Sequence, residues 1–85
     1  MKEILKRIIK NMNSKVVLVM THPFYGRGLR VKKEELLDVI ETMENVKLDN
    51  MGDLVIECES VPFADDGRSF RIIDIKVLEK VKEYW

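Results

Sequence analysis

Three stretches of the chain repeat apolar residues at helical spacing. In residues 2–12 the apolar positions are Ile4, Leu5, Ile8, Ile9 and Met12. A second stripe runs from about residue 33 to 44, and a third begins at residue 77 and ends in Tyr84 and Trp85. Because residues three and four positions apart share one side of a helix, this pattern predicts three amphipathic helices. We expect the two terminal aromatic residues to dock on the core, since exposed they would form a sticky patch.

Four shorter segments predict strands. Val16–Met20 is rich in valine and apolar on both faces, which favours a central strand covered on both sides. Val46–Asp49 and Leu54–Glu59 alternate apolar and polar residues on either side of Asn50–Asp53, a pattern typical of a hairpin. Phe70–Ile75 is the fourth predicted strand.

The predicted order is α-β-α-β-β-β-α, which favours a single α+β domain over residues 1–85. Its natural packing is a mostly antiparallel sheet of about four strands with helices on one face. The strand residues expected beneath the helices are Leu54, Ile56, Cys58 and Ile72. A chain this short buries only about 60–65% of the surface that its unfolded state exposes. We therefore expect a functional site in a surface groove, in a loop or at an interface with another chain.

Charge is unevenly distributed along the chain, although the total is zero. Residues 1–33 hold nine lysines and arginines against one glutamate, a net charge of +8. Residues 34–85 hold six lysines and arginines against fourteen acids, a net charge of −8. Such an imbalance predicts an anionic partner for the basic part. The alternative is a fold that interleaves the two halves in space and leaves no basic patch.

The candidate binding residues lie between residues 21 and 33. One proline and two glycines between Thr21 and Arg30 predict a long exposed loop. The aromatic and basic residues here are Phe24, Tyr25, Arg27, Arg30, Lys32 and Lys33. Aromatic rings can stack on bases, and arginine and lysine bind phosphates. Together with the basic side of the first helix, they predict a non-enzymatic binding or regulatory protein whose partner is a nucleic acid or an acidic protein surface.

Two alternatives remain open on the sequence. One is a pure protein-interaction module, including a homodimer formed through sheet edges or through the opposite charge halves of two copies. The other is a metal-dependent nuclease, in which Asp74 and Lys76 form an acid-x-lysine motif and Glu57 or Glu59 supplies a second carboxylate. That motif spans three residues and recurs by chance in chains rich in aspartate and lysine. We therefore predict no enzymatic activity.

The remaining chemistry-bearing residues predict no cofactor. Cys58 is the only cysteine, so no intrachain disulfide can form, and a reducing compartment such as the cytoplasm is expected. It alternates into the apolar face of its strand, which predicts an inert core thiol. The single histidine, His22, cannot complete a zinc site with one cysteine. The longest apolar run, Val16–Met20, is too short to span a membrane, and no membrane partner is predicted.

Overall fold

Helices and strands make up most of residues 1–21, 28–65 and 67–84, which are the residues that the computed structural model of the protein describes. The elements are α1 (Lys2–Lys10), β1 (Val16–Met20), β2 (Leu29–Lys32), α2 (Lys33–Glu41), β3 (Met43–Leu48), β4 (Leu54–Cys58), β5 (Ser69–Ile72) and α3 (Ile75–Lys82). The strands form one sheet in the order β2-β1-β5-β4-β3. Every pairing in it is antiparallel, which confirms the predicted α+β class.

Strand β2 is the main difference from the sequence prediction, which gave four strands and a loop up to Arg30. Leu29–Lys32 pairs with β1, and Leu18 lies opposite Arg30. Val31 is the only buried residue of the strand, and Arg30 and Lys32 are exposed. Four residues with one core position are too few for an alternating pattern to be recognised. Pairing with β1, which no local pattern reveals, is what makes this segment a strand.

Helices α1, α2 and α3 cover one face of the sheet, which we call the helix face. The strand residues buried on it are Val17, Val19, Val31, Leu54, Ile56, Cys58, Phe70 and Ile72. The helix residues with 0% exposure are Leu5, Ile9, Leu36, Ile40, Val77 and Val81. Burial of a large aliphatic side chain stabilises a fold by about 1.5–3 kcal/mol, so this layer is the core. The four strand residues predicted to lie beneath the helices all belong to it.

The opposite side of the sheet, the open face, has no helix over it in the described part of the chain. The β1 residues on this face are Val16 and Met20, which are half-buried, and Leu18, which is 36% exposed. The prediction that β1 is covered on both sides was therefore wrong. A valine-rich strand is apolar on both faces whether or not a second layer covers it, so periodicity could not distinguish the two cases.

A hairpin joins β3 and β4, as predicted, and Asp49 fixes its turn. The Asp49 carbonyl accepts a hydrogen bond from the Gly52 amide at 3.1 Å, and Gly52 has a φ of 85°, the left-handed position of a three-residue hairpin loop. Asp49 Oδ1 accepts from the amides of Met51 and Asp53 at 3.0 and 2.9 Å, and Oδ2 accepts from Arg71 Nε at 2.9 Å. Partial burial raises the pKa of Asp49, but these three hydrogen bonds outweigh it and hold the pKa below its usual value.

The ends of several elements differ from the predicted ones. Helix α1 ends at Lys10, and α2 ends at Glu41 because β3 already begins at Met43. Strand β5 ends at Ile72, and Ile75 begins α3 instead of closing the strand. The longest described helices have nine residues, and no helix in the described ranges has the length and apolarity needed to cross a membrane.

Asp74 connects the start of α3 to strand β1. Its Oδ1 accepts a hydrogen bond from the Lys76 amide at 3.1 Å, which caps the helix, and its Oδ2 accepts from the Leu18 amide at 3.1 Å. The Leu18 carbonyl accepts a hydrogen bond from the Ile73 amide. In a regular antiparallel ladder the Leu18 amide would in turn donate to a carbonyl of that neighbouring chain segment, and here the Asp74 carboxylate takes the place of that carbonyl. After the other end of α3, Tyr84 is 53% exposed, so its predicted docking on the core was wrong. Trp85 lies outside the described residues.

Candidate binding surface

Cross-strand pairing places basic and aliphatic side chains together on the open face. Arg30 and Lys32 of β2 lie opposite Leu18 and Val16 of β1. Residues directly opposite in an antiparallel pair point to the same side of the sheet, with Cβ atoms about 5 Å apart. The two basic residues of β2 therefore border an aliphatic strip along β1.

A shallow groove of about 460 Å³ lies between β1 and the start of α3. We call it the basic groove, and its lining residues are Ser14, Val16, Leu18, Arg30, Ile73, Asp74, Ile75 and Lys76. The side chains of Leu18 and Ile73 both border Gly28, since a Cβ added there would lie 3.7 Å from one and 3.9 Å from the other. Ile75 is 69% exposed and adds a second apolar wall. Half of the lining residues are thus aliphatic.

The cations at the groove are not used by the fold. Arg30 and Lys76 line it, and Lys32 lies beside it, opposite Val16. Within the residues that the structure describes, none of these three side chains forms a salt bridge. The acid of the groove, Asp74, is 8% exposed, and each of its oxygens accepts a backbone hydrogen bond. The surface therefore offers accessible positive charge next to apolar surface.

The structure places three of the predicted binding residues on two different surfaces, and the other three lie outside the residues that it describes. Arg30 and Lys32 lie together on the open face, whereas Lys33 reaches the end of α1. The Lys33 Nζ donates to the carbonyls of Lys10 and Met12 at 3.2 and 2.7 Å, so this lysine satisfies the helix C-terminus. The predicted residues that lie outside the described part of the chain are Phe24, Tyr25 and Arg27.

The basic side of α1, the second predicted contact region, faces the acids of α2. Lys6 forms a salt bridge with Glu41, and Lys2 Nζ donates to the Glu41 carbonyl at 2.8 Å. The hydrogen bond between the two side chains raises the pKa of Lys6 and lowers the pKa of Glu41. A cavity of about 310 Å³ beside this pair is lined by Lys6, Lys10, Glu34, Leu37, Asp38 and Glu41. The two charge halves of the sequence are therefore interleaved in the helix layer.

A second cleft, of about 580 Å³, lies between α1 and α3 but carries mixed charge. Its lining residues are Arg7, Ile8, Asn11, Met12, Asn13, Lys76, Glu79, Lys80, Glu83 and Tyr84. Three bases face two acids there, and Lys80 Nζ lies 3.9 Å from Glu83 Oε1. This cleft lacks the uniform sign of charge that would select an anionic partner.

The residues of the nuclease hypothesis are not brought together. Glu57 lies opposite Ser69 at the start of β5, and Asp74 follows the end of that strand. At about 3.3 Å per residue the two acids are separated by on the order of 15 Å. Glu57 accepts a hydrogen bond from Asn45 Nδ2 at 3.1 Å. In residues 1–21, 28–65 and 67–84, no group of three or more histidine, cysteine or acidic residues is placed to hold a metal ion. The geometry gives the nuclease hypothesis no support.

Cys58 occupies the core position that its alternation predicts. It is 3% exposed on the helix face, and burial raises the pKa of its thiol above the ordinary value. Both properties oppose formation of the reactive thiolate. The geometry gives this cysteine a packing role.

Sequence reasoning missed the aliphatic half of the basic groove. Leu18 was expected beneath a second covering layer, and Ile75 was expected to end a strand. One signal was present, since the adjacent apolar residues Ile72 and Ile73 must point to opposite faces of β5 and its extension. Helices that form a single layer cover only one face of the sheet, so one of these two isoleucines must lie on the uncovered face.

Comparisons with protein-family models, with curated proteins and with solved structures found no match to this chain. Only the geometry of the chain itself supports a function.

Proposed function

We propose that this protein is a non-enzymatic binding domain that presents the basic groove and the adjoining strand β2 to an anionic macromolecule. One observation carries the proposal: Arg30, Lys32 and Lys76 surround an aliphatic surface and form no salt bridge within the described residues. Cations that serve stability are usually paired or cap a helix, as Lys6 and Lys33 do here. The three groove cations do neither.

The binding free energy comes from two sources, the attraction of the groove cations and the dehydration of the apolar surface in the groove. Leu18 and Ile75 are 36% and 69% exposed, and covering apolar surface contributes about 25 cal/mol per Å² before the cost of association is subtracted. The cations attract the partner over about one Debye length, which is roughly 10 Å at 0.1 M salt. The expected partner thus carries negative charge next to apolar groups, and its binding weakens as salt increases.

The test is fluorescence anisotropy with labelled anionic probes, titrated with the protein at low and moderate salt. The probes are single-stranded and double-stranded oligonucleotides and a glutamate-rich peptide. The Arg30→Ala, Lys32→Ala and Lys76→Ala variants should each weaken binding and flatten its salt dependence, because each lost ion contact removes about 0.7 to 0.9 from the slope on nucleic acid.

Lys82→Ala is the matched control, because Lys82 is an exposed cation of α3 that does not line the groove. It removes the same charge and should leave affinity and salt slope unchanged. Absence of binding to every probe at low salt would refute the proposal. Equal losses for Lys82→Ala and the groove variants would show that net charge, and not this surface, governs the binding.

A further inference from the structure

The outer edge of strand β2 directs backbone groups away from the sheet. The Lys33 amide donates to the Lys15 carbonyl at 3.1 Å, and hydrogen-bonded pairs alternate with non-bonded pairs along an antiparallel ladder. Val31 therefore bonds β1, while the amide and carbonyl of Arg30 and the amide of Lys32 point outward. Strand β2 is the last strand of the sheet on this side, so in the described part of the chain no strand lies beside those groups.

Side chains on the two faces of β2 differ in chemistry. Arg30 and Lys32 lie on the open face, and Leu29 lies on the helix face with 39% of its surface exposed. A strand added at this edge would place two alternate residues with their Cβ atoms about 5 Å from those of Arg30 and Lys32, and a residue of the other face opposite Leu29. The edge thus specifies a partner by both backbone and side chains.

Charge decides which strand can be added. A second copy of β2 would bring the same two cations against Arg30 and Lys32, and like charges directly opposite each other destabilise a sheet. Basic edges protect proteins from this kind of self-association. An acidic strand would be stabilised at this edge, because its carboxylates pair with the same two cations.

A nucleic acid would leave this edge unused. The backbone groups of β2 match those of another extended polypeptide, and their spacing along the strand has no counterpart in a sugar-phosphate backbone.

We infer that β2 binds an extended acidic protein segment as an additional strand of the sheet. Acidic residues at alternate positions lie against Arg30 and Lys32, and an aliphatic residue that follows the one opposite Arg30, on the side away from Lys32, covers Leu29. This inference rests on the proposed function, which it deepens by naming the partner class and the mode of binding.

The test uses a fluorescein-labelled peptide of about ten residues in which glutamate and valine alternate. A second peptide has the same composition in shuffled order. Two further peptides carry methyl groups on backbone nitrogens. In the first peptide every glutamate is N-methylated, and in the second every valine is. In an added strand only alternate amides face the protein, so one methylated peptide should lose at least tenfold in affinity while the other stays within about twofold. The shuffled peptide should also lose at least tenfold.

A charge exchange tests the cations. Arg30→Glu combined with Lys32→Glu should abolish binding of the glutamate–valine peptide and create binding of a lysine–valine peptide. Lys82→Glu is the control and should change neither. Circular dichroism of each variant verifies folding. Amide hydrogen exchange by NMR gives an independent readout on the unaltered protein, because the amides of Arg30 and Lys32 should become protected when the peptide binds.

The possible outcomes separate this inference from the proposed function. Equal binding of both methylated peptides would overturn strand addition and leave the proposed function intact. Tighter binding of an oligonucleotide, with neither amide protected, would overturn the choice of a protein partner and leave an anionic partner at this surface. Failure of every peptide and every oligonucleotide to bind would overturn both proposals.

Discussion

The hydrogen bonds of Asp74 allow a quantitative test of how the sheet is joined to α3. Asp74→Ala removes the side-chain cap from the Lys76 amide and the acceptor from the Leu18 amide. Loss of a helix N-cap costs about 1 kcal/mol, within a range of about 0.5–2. A buried amide left without a partner costs about 1–3 kcal/mol. Because Asp74 is 8% exposed and its hydrogen bond to the Leu18 amide is partly buried, we expect a total of about 2–4 kcal/mol.

Asp74→Asn separates the two contributions. Asparagine is as good an N-cap as aspartate, but it has a single oxygen, so the amide of either Lys76 or Leu18 loses its acceptor. We expect a loss of about 1–2 kcal/mol, between the wild type and Asp74→Ala. Glu79→Ala is the matched control: it removes one acid from an exposed position of α3 and should change stability by less than about 0.5 kcal/mol.

Urea unfolding followed by circular dichroism measures these differences, and thermal unfolding provides a check. In a domain of this size each kcal/mol shifts the melting temperature by about 4–8 °C, so Asp74→Ala should melt roughly 10–30 °C below the wild type. The reasoning is refuted if Asp74→Ala is as stable as Glu79→Ala, or if Asp74→Asn is destabilised as much as Asp74→Ala. Because Asp74→Asn keeps most of the stability, the comparison remains possible even if the alanine variant does not fold.

Two further predictions concern the hairpin and the core. The hydrogen bonds that lower the pKa of Asp49, from the Asp53 amide, Arg71 and the Met51 amide, stabilise the fold fully above about pH 4, the ordinary aspartate value, and this stabilisation is lost as the pH falls through the lower folded-state pKa. Asp49→Asn should therefore be about 1 kcal/mol less stable than the wild type at pH 7, and urea unfolding should show the gap narrowing below pH 4, whereas a constant gap would contradict the assignment. Cys58 should react with Ellman's reagent at least about a hundredfold more slowly in the native protein than in urea, because labelling requires opening of the core; reaction at the unfolded rate would show that the thiol is accessible.

The sequence predicts the core layer of this fold well. Leu54–Cys58 alternates apolar and polar residues, and the structure buries Leu54, Ile56 and Cys58 as that alternation predicts. The hairpin turn was also predictable, because glycine at position 52 permits the positive φ that the loop needs. These features depend on residues close together in the chain.

Features that depend on distant residues were not predictable. Strand β2 exists because Val31 and Arg30 pair with β1, and the open face exists because the helices cover one side of the sheet. The role of Lys33 was misjudged for the same reason, since its acceptors lie at the end of α1, 21 and 23 residues earlier. Composition alone grouped this lysine with Arg30, although the chain turns between them and sends the two side chains to different surfaces.

The charge imbalance of the sequence has different consequences in the helix layer and at the basic groove. In the helix layer the bases of α1 meet the acids of α2, and an exposed pair such as Lys6–Glu41 contributes little to stability because water and salt screen it. At and beside the basic groove, Arg30, Lys32 and Lys76 have no salt-bridge partner in the described residues, so their charge acts on whatever approaches. Added salt should therefore weaken partner binding strongly while changing the stability of the fold little. Salt titrations of binding will then report on the groove cations and not on loss of the folded state.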